Sequence, residues 1–368
     1  MTVETFTDLR ELAFNTAESK LRRLLTEHPG RIPTHTVNGR WHLDADTWAP
    51  TWTEGFLAGM IWLLAEHTGD PWWREHAERY CRSFAHRSDD TGTHDIGFLF
   101  TPSWGKWRQL QETDEVNGVL AAAGRTMAGR FNPEGCYLST WVDPGSTFID
   151  VMMNIDIIYE AAEITGDTTL SDIATAHALT SRRHLLRGDA TTIHEGWFDP
   201  DTGEFLRAAT HQGWRADSSW VRGHSWAIYG FGQAYHRTRD PRFLQTAQLL
   251  ADAFIERSNN SLPPNDWEEP SPEFSTEASA AAIAAAGLAQ LADLSEEADE
   301  HRYRAHALRT VELLSQPRYL SYANDDWQGL IQHATYHRRH NLGVEESVMW
   351  GDYYYLEAVD RLLSRNRR

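Results

Sequence analysis

Five stretches of the chain stay apolar around nearly the whole helical turn: WTEGFLAGMIWLLAE, DVMMNIDIIYEAAE, RGHSWAIYGFGQAYH, ASAAAIAAAGLAQLAD and ESVMWGDYYYLEAVDRLL. Helices of that kind are buried on every side. Where a turn follows, the next helical segment is more charged and amphipathic, so the pattern predicts buried helices alternating with half-exposed ones.

The turns repeat. EHTGDPWWREHAERY, EITGDTTLSDIATAH and HRTRDPRFLQTAQLL share an acid at Asp70, Asp167 or Asp240, then a large apolar residue three positions on (Trp73, Leu170, Phe243) and alanine seven on (Ala77, Ala174, Ala247). A weaker fourth copy places Glu300, Tyr303 and Ala307 at the same offsets. Each turn carries a helix-stopping Gly or polar residue and an Asp suited to cap the next helix, in two cases followed by Pro at the first helical position. The units are helical hairpins. Stacked hairpins make a solenoid or a ring, and the apolarity of the first helix in each pair favours a closed all-α toroid, an (α/α) barrel of roughly a dozen helices. No Gly/Ser/Pro-rich linker or charge block divides the 368 residues, so residues 1–368 read as one domain.

Counting back from the turn acids, Trp52 lies 18 positions before Asp70, Asp150 17 before Asp167, and Arg222 18 before Asp240. All three fall at the same end of buried helices, and in a ring that end is one mouth. An indole, a carboxylate and a guanidinium therefore converge on a concave site. The segments THDIGFLFTPSW, CYLSTWVDPGSTF and TIHEGWFDPDTGEFLRAATHQGWRADSSW read as long loops returning to this mouth, rich in aromatics, His and Asp.

Asp150 sits among Phe148, Ile149, Val151 and Met152. A carboxylate withdrawn from water is costly unless it is paired, hydrogen-bonded or protonated. It either caps its helix or serves as an acid or base. Asn154, one turn on, is placed to hold the Asp150 carboxyl or to make a core hydrogen bond. Asp95 of HDIGF reads alone as a helix cap. Beside Asp150 it becomes a second carboxylate, able to keep one of the pair protonated near neutrality. Arg222 is a ligand-binding cation or half of a salt bridge.

Composition narrows the ligand. Asp and Glu outnumber Lys and Arg 53 to 34, for a formal charge of −19, which repels phosphate backbones and anionic membranes. No apolar run approaches the roughly 20 residues of a membrane span. The N-terminus lacks a signal peptide's apolar core, and Cys81 and Cys136 form neither a disulfide framework nor a metal spacing, so a cytoplasmic location is expected. Despite 18 histidines no metal-ligand spacing is complete. No metal or cofactor is expected. The 16 tryptophans suit flat apolar ligands, sugars among them. The basic run HATYHRRH, His333 to His340, reads as a solvated face or, near the mouth, as a contact for an anionic ligand.

WTEGFLAGMIWLLAEHTGD, HDIGFLF, YLSTW, FIDVMMN, RGHSWAIYGF and ESVMWGDYYYLEA, in this order, resemble the unsaturated glucuronyl hydrolases, glycoside hydrolase family 88, over about Thr51 to Leu362. The resemblance implies an (α/α)6 barrel, monomeric or homodimeric. It implies removal of the 4,5-unsaturated uronic acid that polysaccharide lyases leave at the non-reducing end of an oligosaccharide. Carried over by motif, Asp150 is the general acid/base and Asp95 the second essential carboxylate. Trp52, Phe56, Trp141, His194, Gln212, Arg222 and Trp226 are substrate-binding. The family pattern has Gln or a small polar residue where this chain has His224. Sulfate-recognising members carry Ser-x-x-Ser-x-Lys where Ala334, His337 and Arg339 align, which speaks against a sulfated sugar.

Three rivals remain at this point. An unsaturated rhamnogalacturonyl hydrolase would share fold and reaction but take a pectin-derived substrate. A sugar epimerase would want paired His bases in place of Asp150 and Asp95. A non-catalytic helical-repeat protein would bind saccharide without turnover.

Overall fold

The computed structural model describes residues 3–43, 51–270 and 276–364. Its helices are α1 (Val3–Glu27), α2 (Glu54–Thr68), α3 (Pro71–Ser83), α4 (Ile96–Phe100), α5 (Lys106–Leu110), α6 (Asp114–Ala128), α7 (Val151–Asn154), α8 (Asp156–Thr165), α9 (Thr168–His184), α10 (Val221–Thr238), α11 (Pro241–Ser258), α12 (Ala278–Leu294), α13 (Glu297–Leu314) and α14 (Met349–Leu363). A π-helical turn, Thr101–Gly105, joins α4 to α5, and α7 runs into α8 through Ile155.

The ring closes. α2 packs on α4, α4 on α7 and α8, these on α10, α10 on α12, α12 on α14, and α14 back on α2. Outside them lie α3, α6, α9, α11 and α13, with α1 as the outer partner of α14. This is an (α/α)6 barrel. The alanine-rich α12 is buried along almost its whole length, and its small side chains let α10 and α14 approach on either side.

The turns form as their residues dictate. Asp70, Asp167 and Asp240 accept the backbone N–H of Trp72, Thr169 and Arg242 at 2.9, 3.0 and 2.9 Å. The preceding helices stop at Gly69 and Gly166, with φ of 68° and 71°. Arg239 takes the same left-handed conformation (φ 58°) before Asp240, at a cost of roughly 1–2 kcal/mol for a residue with a Cβ. The residues three and seven positions on are buried in all three copies.

The fourth copy departs from this plan. Tyr303 and Ala307 are buried, but α13 begins at Glu297, so Glu300 lies inside its first turns and bonds Arg304 instead of capping. Its turn is built differently, on Ser295 and Glu296. A copy in which Thr113 replaces the acid went unread: Thr113 accepts from the Val116 N–H at 3.3 Å, and Val116 and Leu120 are buried at the same offsets.

Two expectations change with the structure. HDIGFLFTPSW is the second inner column, α4 with the π turn, rather than a loop. Pro102 has no N–H to give an α-helical bond, and the chain takes the wider turn there. In the basic run, Ala334–His337 is a buried strand paired with Leu342–Glu346, and only its end, Arg339 and His340, is the solvated face expected. At the same mouth Ser146–Phe148, Glu195–Phe198 and Phe205–Ala209 form a three-stranded antiparallel sheet.

Candidate active site

Three of the inner columns open at the mouth with a chemically active residue. Asp95 and Asp150 stand at the N-cap positions of α4 and α7, and neither side chain caps its helix. Arg222 lies in the first turn of α10. These three, with Trp52, Trp141, Gln212 and Trp226, line one pocket. The spacing argument placed Trp52, Asp150 and Arg222 at a common mouth, and there they are.

Asp150 is 8% exposed and its Oδ1, fully buried, has no hydrogen-bond partner among the described residues. Burial pushes its carboxyl up to about 6, against the opposing pull of its own backbone N–H, Arg222 and His211. Asp95 is equally buried, and burial first, then the Asp150 charge, push it up to about 7. Thr93 Oγ1 donates to Asp95 Oδ2 at 3.2 Å, and His94 Nε2 lies 3.5 Å from Oδ1. Burial drives His94 down to about 3, so at neutral pH it is an uncharged neighbour.

Asn154 does not touch the Asp150 carboxyl. Its Nδ2 donates to the Asp150 backbone carbonyl at 3.1 Å, and its Oδ1 accepts the Phe98 N–H at 2.8 Å. It is the core hydrogen bond of the two readings, and it ties the helix of Asp150 to that of Asp95. Gly97 makes this approach possible, since a Cβ there would come 2.4 Å from the Asn154 Cα.

Arg222 makes no ion pair among the described residues. Its guanidinium donates to the carbonyls of Thr335 and Tyr336 and to Gln212 Oε1. It lies over the Trp220 ring at 4.4 Å and the Trp350 ring at 5.0 Å. Burial lowers it to about 10, which still leaves it cationic. The Thr335 peptide it grips is fixed on its other side by Glu277, whose Oε1 accepts the Thr335 N–H at 3.0 Å.

Aromatics supply the walls. Trp52 stacks on Trp350 at 4.7 Å and donates its Nε1–H to the Tyr336 hydroxyl at 3.1 Å. Trp226 meets Phe98 at 4.9 Å. Phe56 is fully buried behind Trp52 and Phe98 and does not line the pocket. His194 also lies behind the wall: its Nδ1 accepts the N–H groups of His211 and Gln212 at 3.2 and 3.3 Å, so it shapes the loop that presents them. His224 is core, bonded to the Leu250 carbonyl and to Trp267.

The pocket also contains His94, Phe98, Phe148, His211, Trp220 and Tyr336, which the sequence reading did not select. His94 and His211 adjoin selected residues in HDIGF and HQG, and Tyr336 alternates within a strand. No group of three His, Cys, Asp or Glu among the described residues is arranged to hold a metal, and no described helix is long and apolar enough to cross a membrane.

Residues 26–237 match the family described as Glycosyl Hydrolase Family 88. Over 324 residues the chain is 36% identical to an unsaturated glucuronyl hydrolase of Bacillus sp. (strain GL1), covering 84% of this chain and 86% of that protein. Over 330 residues it is 32% identical to an unsaturated chondroitin disaccharide hydrolase of Streptococcus pyogenes serotype M1, covering 84% and 80%. The crystal structure of the Bacillus sp. GL1 unsaturated glucuronyl hydrolase, responsible for the degradation of glycosaminoglycan, superimposes with a TM-score of 0.91 at 32% identity over 97% of each chain.

Proposed function

The chain belongs to Glycosyl Hydrolase Family 88, and we propose that it releases 4,5-unsaturated uronic acid from the non-reducing end of lyase-generated glycosaminoglycan fragments by hydrating the C4=C5 vinyl ether. One observation carries the chemistry: two buried carboxyls, each at a helix N-cap that it does not cap, face one pocket, burial raising both and the Asp150 charge raising Asp95 further.

An ordinary glycosidase needs a carboxyl on each face of a scissile acetal. A vinyl ether needs something else, a neutral acid that can first give a proton to carbon. Two adjacent carboxyls in an apolar site retain roughly one proton between them near neutrality.

Asp150 delivers its proton to C4, and positive charge develops at C5 and the ring oxygen. The resulting Asp150 carboxylate then takes a proton from the water that adds to C5. The C5 hemiketal opens to a ketone, and the hemiacetal so formed at C1 expels the shortened saccharide. Asp95 shares the proton and holds the sugar, Trp52, Trp141 and Trp226 orient the ring, and Gln212 contributes a polar contact. Phe56 and His194 support the wall from behind.

Ala334 and His337 are buried in their strand, and the Arg339 guanidinium donates to the Thr210 carbonyl at 3.2 Å. This favours an unsulfated second sugar. The test is loss of the ultraviolet absorbance of the conjugated uronate during incubation with unsaturated disaccharides, sulfated and unsulfated, from hyaluronan, chondroitin and heparin. Loss with the unsulfated members is the expected result. Binding without loss on any of them would leave a saccharide-binding protein instead.

A further inference from the structure

The substrate of the proposed reaction carries a carboxylate on C5, and the pocket must meet that anion with a donor that is free to turn toward it. Arg222 is the obvious candidate on charge alone. Yet it is 1% exposed, sits between two indole rings, and already makes three hydrogen bonds to protein oxygens. It clamps the strand Ala334–His337 and the Gln212 side chain to α10.

His211 is placed differently. Its side chain is 32% exposed, lines the pocket with Asp95 and Asp150, and lies beside the Phe148 ring at 5.1 Å. Behind it is Glu195, a carboxylate only 2% exposed in the strand Glu195–Phe198. Glu195 Oε1 accepts from Ser146 Oγ at 2.7 Å, and Ser146 Oγ in turn accepts from Thr140 Oγ1 at 2.9 Å. Glu195 Oε2 lies 3.4 Å from His211 Nε2, its one ion-pair contact among the described residues. Among the described residues no Lys or Arg forms an ion pair with Glu195. A hydroxyl chain fixes the carboxylate, the carboxylate faces the imidazole, and the imidazole faces the pocket.

We propose that His211, oriented and charge-balanced by Glu195, is the residue that meets the carboxylate of the unsaturated uronate, while Arg222 acts as a clamp on the pocket wall. This rests on the reaction proposed above and adds the element that selects for a uronate. The charged and titratable groups facing His211 are Asp150, Glu195, His94, His194 and His337, with Arg222 beyond them. Burial holds His94, His194 and His337 below the ordinary imidazole value, so none of the three competes as a cation at neutral pH. His211 and Glu195 are thus a binding residue and its positioning residue, built into the hairpins of the mouth.

The experiment compares an unsaturated disaccharide with its uronate methyl ester, which lacks the negative charge, its altered size and intrinsic reactivity being common to wild type and variants. kcat/KM is measured on both for the wild type, His211→Gln and Glu195→Gln, and the acid-to-ester ratio is formed for each. Effects of a substitution on the Asp150 proton transfer cancel in that ratio. Loss of a charge-assisted hydrogen bond predicts a ratio about 10- to 100-fold smaller in His211→Gln, mostly through KM on the acid. Glu195→Gln is expected to lose less in the same direction. Turnover of the ester shows that each variant is folded, and His211→Asn replaces His211→Gln should that protein not fold. An unchanged ratio in the His211 variant overturns the proposal while leaving the reaction intact. A wild type inert toward both compounds overturns the reaction and this reading with it.

Discussion

Asp95 and Asp150 occupy equivalent positions on neighbouring inner columns, the residue before the first helical turn, and the amide of Asn154 joins the two columns directly beneath them. Each gives up the hydrogen bonds that an N-terminal Asp ordinarily makes to its own helix. The protein forgoes two helix caps and keeps two carboxyls for the pocket.

Replacing Asp150 by Asn removes the transferable proton without changing the side chain's shape. The expected outcome is a fall in kcat of at least about 10³-fold, with the helical circular dichroism unchanged and the unsaturated disaccharide still bound. Absorbance assays and calorimetric titration of the variant check this together. Near wild-type kcat would remove Asp150 from its role.

Both carboxyls stand above their ordinary values, Asp150 at about 6 and Asp95 at about 7. The reaction needs the protonated acid, so kcat/KM is expected to fall as pH rises through that interval. The same shift acts on stability with a definite sign. Between about pH 4 and 7 the folded chain holds more protons at these sites than the unfolded chain, so their contribution weakens as pH rises. Asp95→Asn is therefore expected to raise Tm at pH 7.5, by an amount corresponding to about 1–3 kcal/mol, and to lose that advantage by pH 4. Thermal melts at the two pH values decide it.

Asn154→Ala would leave the Phe98 N–H buried without an acceptor. An expected destabilisation of about 1–3 kcal/mol follows, together with a loss of kcat larger than the loss of substrate affinity, because the two carboxyls lose their common anchor. Denaturant titration and steady-state kinetics on the same preparation separate the two effects.

Glu277 is the residue that the sequence reading passed over despite its reach. Its carboxylate accepts from the N–H groups of Ser279, Ala280 and Thr335 and from the Ser279 hydroxyl. Glu277→Ala is expected to cost about 2–4 kcal/mol through the lost α12 cap and the two further donors, the Ser279 hydroxyl and the Thr335 N–H, left without it. It should also raise KM, since Thr335 and Tyr336 would no longer be held where Arg222 and Trp52 meet them. A rise in KM in Glu277→Ala but not in Asp240→Ala, a cap of similar kind far from the mouth, is the discriminating result.

The barrel was legible where local chemistry repeats. Asp70, Asp167 and Asp240 each announce a hairpin, because a capping acid, a buried residue three on and an alanine seven on are all local signals. Thr113 hid the second hairpin by substituting one capping residue type for another. α4 hid because five residues are too few to show a helical period before Pro102 widens the turn. At the site, Trp52, Asp150 and Arg222 were found by counting from turns, and Asp95 from its HDIGF motif. His211 and Tyr336 were not: they sit in or just after short local hairpins, and what brings those hairpins to the pocket is their seating on the barrel, as where Arg222 donates to the Tyr336 carbonyl across 114 positions. For Asn154 the choice between the Asp150 carboxyl and a core hydrogen bond stayed open, because α4 had not been recognised as its neighbour.

The bond from the Trp52 indole to the Tyr336 hydroxyl spans 284 positions of sequence, and Arg222 reaches the Thr335 carbonyl across 113. The hairpins are local and can form one at a time, but the pocket's walls draw on the first and the last of them as well as those between. Turnover is therefore a clock for the final joining of the ring: in a refolding experiment ellipticity should return first, and catalysis only when the chain has met itself.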